Sequence, residues 1–348
     1  MNSTPPSSPS SPLPLSAAPD AVPPVAATPG WRIDRVDVTG STNADLLAAF
    51  ADPAAPIRPR LQALSAPLGW REACMRFPPV VRRARRQSAG RGRLGRPWVS
   101  TPGNSLLFSL GVVMPCPLSA LPGLSLAVGV AVLEGLRCLP LTQPERLGLK
   151  WPNDILLDDA KLGGILIESA ASAPHATALV IGVGLNLRGD IVLAPPATSL
   201  AGPDGTAPAL PPAVLASILP GGASDASAAS YAAGVANVPH VADASDALPE
   251  AALAGIVAAL DMALERFAAE GLAPFRERWW ADHRFAGRAV SVLDHGREQL
   301  RGIASGIDAT GRLMIAPDAA AGARPGPLQA ITAGDVSLRL ALATDARK

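Results

Sequence analysis

Seven arginines fall between Arg82 and Arg96 in the stretch RRARRQSAGRGRLGRPW, and Gly90, Gly92 and Gly95 space it G-x-G-x-x-G. Guanidinium groups give bidentate, charge-assisted hydrogen bonds to phosphates and carboxylates. Alternating glycines let backbone N–H groups come close to an anion. Three chemistries compete for such a stretch. A dinucleotide-binding turn needs a strand before it, a helix opening inside it and an acidic residue further on. Here Pro97 and WVSTPGNS follow, which cannot continue a helix, and no acidic residue occurs before Glu134. A nucleic-acid groove would use the same charge but also needs several stacking aromatics, and only Trp98 is present. The third reading is a loop that folds over an anionic ligand and orders when it is held. A merely solvated arginine surface stands as the alternative to all three.

Four other stretches carry polar groups with a use. TGSTN brings Ser41, Thr42 and Asn43 together, a helix-capping signature that equally suits a small polar ligand. KWPNDILL sets Lys150, Trp151, Asn153 and Asp154 at the start of a strand, with Pro152 fixing the backbone between them. AKLGGILIE puts Lys161 before two glycines. A lysine at a strand entrance is ordinarily solvated, but one beside glycines, where a phosphate can approach, is a candidate charge stabiliser. GVGLNL places Asn186 after two glycines. The three cysteines (Cys74, Cys116, Cys138) and four histidines (His175, His240, His283, His295) are scattered. They form no metal-ligand spacing, no disulfide framework and no nucleophile–base pair, which points to a reducing cytosol and to no protein-built metal site.

The elements that must position these groups can be read along the chain. With 348 residues, 48% of them hydrophobic, there is enough apolar surface for one large domain plus a small one, and a net charge of +1 makes the basic character local. Residues 1–30 form a Pro/Ser-rich tail without the basic or apolar regions of a secretory signal, and are expected to be disordered. LPGLSLAVGVAVLEGL is broken by Glu134 and is too short to span a bilayer, so a buried helix over about 120–138 is expected. Residues 31–50 read as strand, turn at Gly40 and capped helix. Residues 52–70 read as irregular, PPVVRRA as a short strand, and NSLLFSLGVVM as a half-buried strand. Three β-rich stretches from Arg146 to Leu187 have short links, which favours antiparallel neighbours. No Lys or Arg occurs between Arg188 and Arg266, and residues 189–248 read as a low-complexity, disordered insertion. A helix follows from Pro249, with Leu253, Ile256, Val257, Leu260, Leu264 and Phe267 on one face and Gly271 as its cap. Short strands after Trp280 predict a small β-barrel.

The ordered set TGSTN, QSAGRGRLGRPW, KWPNDI, KLGGILIE and GVGLNL, followed by AGDVSLR near the end, resembles the biotin protein ligases. The related lipoate ligases share the fold but lack the arginine loop. The resemblance implies an α+β fold: a catalytic domain over 31–284 like that of class II aminoacyl-tRNA synthetases, with a mixed, mainly antiparallel sheet, and an SH3-like barrel over 285–348. It implies ATP-dependent biotinylation, through biotinyl-5′-AMP, of the acceptor lysine of the biotin carboxyl carrier protein of acetyl-CoA carboxylase and of other biotin-dependent carboxylases. Biotin and ATP are then substrates, with Mg²⁺ on the phosphates. Ser41, Thr42, Asn43, Gln87, Arg91, Gly92, Arg93 and Lys161 match the biotin side. Arg96, Trp98, Asn153, Asp154, Asn186 and Arg339 match the ATP side, and Lys161 and Arg93 are the expected catalytic residues. Many members carry an N-terminal DNA-binding domain, which residues 1–30 cannot form because of their prolines. The expectation is therefore a monofunctional cytoplasmic enzyme with no specific DNA and no membrane partner, and the family's habit of pairing sheets implies a homodimer. The rival readings are a lipoate or octanoate ligase of the same fold and a biotin-sensing DNA-binding regulator.

Overall fold

In the computed structural model of the protein, residues 30–100, 103–189, 210–221, 247–294, 297–318, 326–332 and 336–340 are described. The tail over 1–29 and most of the insertion over 189–248 lie outside them.

A seven-stranded sheet in the order β1-β2-β3-β7-β6-β5-β4 forms the centre. Its strands are β1 (Arg32–Thr39), β2 (Val80–Gln87), β3 (Ser105–Met114), β4 (Leu147–Lys150), β5 (Asp154–Leu157), β6 (Ala160–Ala173) and β7 (Ala176–Asn186). The β1–β2 pair is parallel and the remaining pairs are antiparallel. The sheet is thus mixed and mainly antiparallel, as the resemblance implies, and β4 to β7 are antiparallel neighbours, as their short links suggest.

Helices α1 (Thr42–Phe50) and α2 (Ile57–Gln62) cover one face. The other face packs on α4 (Leu124–Arg137) and α5 (Ala247–Glu270) in the main core, which also takes in Trp70 of α3 (Trp70–Arg76). Because both faces are covered, β3 is buried along its whole length, not half-buried as its alternation suggested. Leu106, Phe108, Leu110 and Val112 join the main core, while Val113 packs with Ile57 and Leu61 of α2. Residues 52–70 are also more regular than their prolines implied. Pro56 precedes α2 and Pro59 sits within its first turn, where a missing N–H costs nothing, and Ile57 and Leu61 share one buried face.

Two glycines set how closely α4 and α5 approach. A Cβ at Gly135 would stand 2.4 Å from Ile256 Cα, and one at Gly255 would stand 2.6 Å from Gly135 O. The backbones therefore touch where any side chain would force them apart. Helix α5 is long and apolar enough to cross a membrane by length and composition, but 72% of that window is buried inside the fold. Its six expected core residues, Leu253 to Phe267, are all buried. Glu250 in its first turn accepts from both Arg35 of β1 and Arg83 of β2, tying the helix to the parallel strand pair.

After α6 (Arg276–Asp282), five strands form a second, antiparallel sheet in the order β11-β10-β9-β8-β12. They are β8 (Ala289–Asp294), β9 (Arg297–Ile307), β10 (Leu313–Pro317), β11 (Gln329–Ile331) and β12 (Val336–Leu340).

The insertion is not wholly without structure. Residues 210–221 return to the first sheet beside Lys161: Lys161 N donates to Pro211 O at 2.6 Å and Ala213 N to Lys161 O at 2.8 Å. Leu215 and Ile218 are fully buried, and Thr142 N donates to Ile218 O. Leu215, Ile218 and Leu219, all buried, anchor this piece in an Ala/Pro background, a signal that composition alone conceals.

Candidate functional site

A cavity of about 460 Å³ opens on the face of the first sheet that carries α1. Its floor is made by glycine. Gly182 and Gly184 of β7 lie two residues apart and so share one face, while Ile181, Val183 and Leu185 point into the core. A Cβ at Gly182 would stand 2.2 Å from Asn43 Oδ1, and one at Gly184 2.8 Å from Trp98 Cε2. Gly164 of β6 pairs with Gly184 and lies under the same indole. The empty side of β7 is thus the space into which α1 and Trp98 fit.

One end of the cavity is polar. Ser41 caps α1, its Oγ accepting from Ala44 N at 3.5 Å, which sets Thr42 and Asn43 in the first turn facing the sheet. Thr42 N donates to Gln87 Oε1 at 2.7 Å, Thr42 Oγ1 is 2.6 Å from Ser109 Oγ, and Ser109 donates to Asn43 Oδ1 at 2.5 Å. Asn43 Nδ2 donates to Glu168 Oε2 at 2.7 Å.

The other end is cationic and centres on Asp154. Its Oδ1 accepts from Lys161 Nζ at 2.5 Å and its Oδ2 from Lys150 Nζ at 3.1 Å. Burial pushes the Asp154 carboxyl up, but the two ammonium groups outweigh it and bring the pKa down to about 2. Burial lowers Lys150 to about 8, against the attraction of Asp154. Arg339 of β12 reaches the same cavity from the second sheet, with burial, opposed by Asp154, holding its guanidinium below the usual range. Lys161 Nζ also lies 5.7 Å above the Trp98 ring.

Between the two ends stands the arginine stretch. Gly92 N donates to Arg96 O, Trp98 N donates to Gly90 O, and Arg91 bridges Pro97, so residues 90–98 close on themselves as a narrow turn. A Cβ at Gly90 would stand 2.6 Å from Trp98 O, which is why glycine is needed there. Only a three-residue 3₁₀ turn, Arg93–Gly95, interrupts it, so no helix opens as a dinucleotide fingerprint requires. The seven arginines divide. Arg82 pairs with Asp45 and Arg83 with Glu250, both serving the fold, and Arg85 and Arg86 are exposed. Arg91, Arg93 and Arg96 line the cavity, and Arg93 donates to Asn153 Oδ1 at 3.2 Å.

All fourteen residues singled out in the sequence line this one cavity: Ser41, Thr42, Asn43, Gln87, Arg91, Gly92, Arg93, Arg96, Trp98, Asn153, Asp154, Lys161, Asn186 and Arg339.

Comparison with known proteins decides what built it. The description Biotin/lipoate A/B protein ligase family matches residues 78–186, and Biotin protein ligase C terminal domain matches residues 285–339. A biotin–[acetyl-CoA-carboxylase] ligase of Paracoccus denitrificans is 32% identical over 236 residues, 67% of this chain and 82% of that protein. The chain belongs to the biotin protein ligase family. A ligase of the same name from Mycobacterium tuberculosis is 41% identical over 179 residues, covering 51% of this chain and 58% of that protein. The bifunctional ligase/repressor BirA of Escherichia coli is 31% identical, covering 73% and 65%. The chain thus spans less than two thirds of the length of these two relatives. The Aquifex aeolicus biotin protein ligase solved with biotin and ATP shares the fold at 20% identity, with a TM-score of 0.53 over 89% of this chain and 99% of that one.

For a member of this family, the sequence reading left several site residues without a role. Lys150 was noted in its motif but not assigned, although it is almost fully buried against Asp154. Ser109 and Glu168 carry the polar network and were not noticed. A serine in an apolar strand and a glutamate at the end of LGGILIE were the signals, and both read as ordinary without the fold. Leu210 and Pro212 line the cavity from the segment read as disordered.

Proposed function

We propose that the protein biotinylates the acceptor lysine of a biotin carboxyl carrier protein of acetyl-CoA carboxylase, with ATP and through biotinyl-5′-AMP. The observation that carries this reading is one cavity with a hydrogen-bonding end at Ser41, Thr42, Asn43 and Gln87 and a cationic end at Lys161, Lys150 and Arg339, spanned by the arginine turn. The polar end takes the ureido ring of biotin, and its carboxylate lies toward Lys161. That carboxylate attacks the α-phosphate of ATP and pyrophosphate leaves. Two anions must meet, and Lys161, Arg93 and the neighbouring cations neutralise the charge that develops. Arg91, Gly92 and Arg93 enclose the mixed anhydride and keep water from it. The carrier's ε-amine then attacks the acyl carbon, and AMP departs.

Arg96, Trp98, Asn153, Asp154, Asn186 and Arg339 serve the nucleotide. Trp98, stacked over Lys161 and the glycine floor, borders both substrates. Among the described residues Asp154 is the one carboxylate lining the cavity, and both its oxygens already accept from lysines. Among the described residues no group of three acidic, His or Cys side chains could hold a metal. The donor set does not fit a protein-built metal site, so Mg²⁺ would arrive on the phosphates of ATP. The reading includes a class II synthetase-like catalytic unit over 31–284, closure of the second sheet as an SH3-like barrel over 285–348, a cytoplasmic location, homodimerisation, further carboxylase substrates, and no specific DNA or membrane partner. Incubating the chain with biotin, ATP and a purified carrier domain tests it. Carrier labelling that needs both biotin and ATP is expected, and labelling with lipoate or octanoate instead would overturn it.

A further inference from the structure

Glu168 of β6 joins the polar end of the cavity through an unbroken chain of hydrogen bonds. As a carboxylate it can only accept. Asn43 must therefore turn its Nδ2 toward Glu168, 2.7 Å away, where the Leu166 carbonyl at 3.4 Å is a long second acceptor. Asn43 Oδ1 then faces Ser109, which spends its single proton on it at 2.5 Å. Ser109 Oγ is left to accept, and Thr42 Oγ1 at 2.6 Å is the group that donates to it. Gln87 Oε1, 3.1 Å from Thr42 Oγ1, is the longer alternative acceptor for that proton, and it accepts from Thr42 N at 2.7 Å in either case. With its proton committed to Ser109, Thr42 Oγ1 presents a lone pair to the cavity. The opposite amide orientation of Asn43 would turn the Ser109 proton toward Thr42 Oγ1 and the Thr42 proton toward Gln87 Oε1. On the outer side, Arg91 of the arginine turn stands 3.7 Å from Glu168 Oε1.

We propose that Glu168 is a positioning residue that sets the direction of this proton chain, and so makes the cavity select a ligand that donates N–H groups there. The proposal rests on the ligase reading: the ureido ring of biotin offers two such donors, whereas an acyl chain or a dithiolane offers none. A site built to accept from a donor discriminates strongly against analogues that lack it, because its buried polar groups would be left unpaired.

The test is calorimetric titration of the full chain with biotin and with octanoate, alongside the KM for ATP in biotin-dependent pyrophosphate release. Glu168→Ala is expected to raise the Kd for biotin about tenfold to hundredfold, with octanoate affinity and the ATP KM unmoved. Glu168→Gln keeps an acceptor toward Asn43 and is expected to stay within about threefold of wild type. Should Glu168→Ala not fold, Ser109→Ala breaks the same chain without touching a charge and carries the same expectation. An unchanged biotin Kd, a parallel loss of biotin, octanoate and ATP binding, or a Gln variant as weak as the Ala variant would each overturn the proposal. Wild-type protein that releases no pyrophosphate in response to biotin would sink the ligase reading and this inference with it. A competent wild type with an unaffected Glu168→Ala variant would sink the inference alone.

Discussion

Replacing Lys161 by alanine should separate chemistry from stability. Its ammonium group is 35% exposed and bonds Asp154 at 2.5 Å. Asp154 would not be orphaned by the change, because Lys150 still donates to its other oxygen at 3.1 Å. What is lost from the fold is the more exposed of the two ion pairs on Asp154, worth about 1 kcal/mol while Lys150 keeps the carboxylate paired. For a chain of 348 residues that is a melting shift of roughly 1–2 °C. What is lost from the reaction is a cation aimed at charge that develops between carboxylate and phosphate. Loss of such a contact in a closed site costs about 2.7–4 kcal/mol, or roughly 10²–10³ in rate. Removal of Lys161 also lifts a repulsion from Lys150, so the Lys150 ammonium becomes easier to keep protonated. That change cannot compensate, since the Lys150 side chain is only 4% exposed and its ammonium group stays bound to Asp154 Oδ2. Biotin-dependent pyrophosphate release and a thermal melt on the same preparation read the two magnitudes. Near-normal pyrophosphate release, or a melting loss well beyond about 2 °C, would refute the reasoning.

Gly182→Ala places a methyl group 2.2 Å from Asn43 Oδ1, so Asn43 must move, and biotin binding measured by titration should fail while ATP binding persists. Gly135→Ala meets backbone at 2.4 Å on α5, where nothing flexible can yield, and should cost at least about 1–3 kcal/mol in denaturant unfolding. Arg93→Gly removes the one turn residue bonded to Asn153, and is expected to release biotinyl-AMP that labels bystander lysines; a variant that makes adenylate yet leaks no more than wild type argues against it. His283 is buried with its Nδ1 3.1 Å from Leu149 O, and burial lowers its pKa to about 4 from 6.5. Its folded pKa lies below the unfolded one, so its contribution is fully present above about pH 6.5 and is lost as pH falls toward 4. That contribution is on the order of 3 kcal/mol. Unfolding free energies of wild type and His283→Gln measured across that window should converge at its acid end.

The sequence revealed some of this and concealed the rest for definite reasons. Glycines two apart in GVG, a lysine before GG and arginines between glycines are local patterns, and the cavity gathers all of them because strand periodicity puts alternate residues on one face. β3 looked half-buried because its serines, Ser105 and Ser109, break an apolar run. In the fold both are nonetheless buried, and Ser109 faces Asn43 as part of the cavity wall. Long-range partners were invisible. Nothing near Glu168 in the chain announces Asn43, 125 residues away, and nothing near Arg83 announces Glu250.

The segment at 210–221 shows why low complexity misled. Composition counts residues, whereas anchoring needs only a few placed well. Leu215 and Ile218 fill a core site, and the backbone between Pro211 and Ala213 pairs on both sides of Lys161. The main chain of the lysine on which the proposed chemistry turns is therefore fixed partly by residues that arrive from an Ala/Pro-rich stretch. A change such as Ala213→Pro removes the N–H that holds Lys161 O, so its effect belongs at the cationic end and leaves the polar end alone. The polar end of the cavity thus rests on α1, β2 and β3 with Glu168 of β6, and the cationic end on β4, β5, Lys161 of β6, this returning segment and β12.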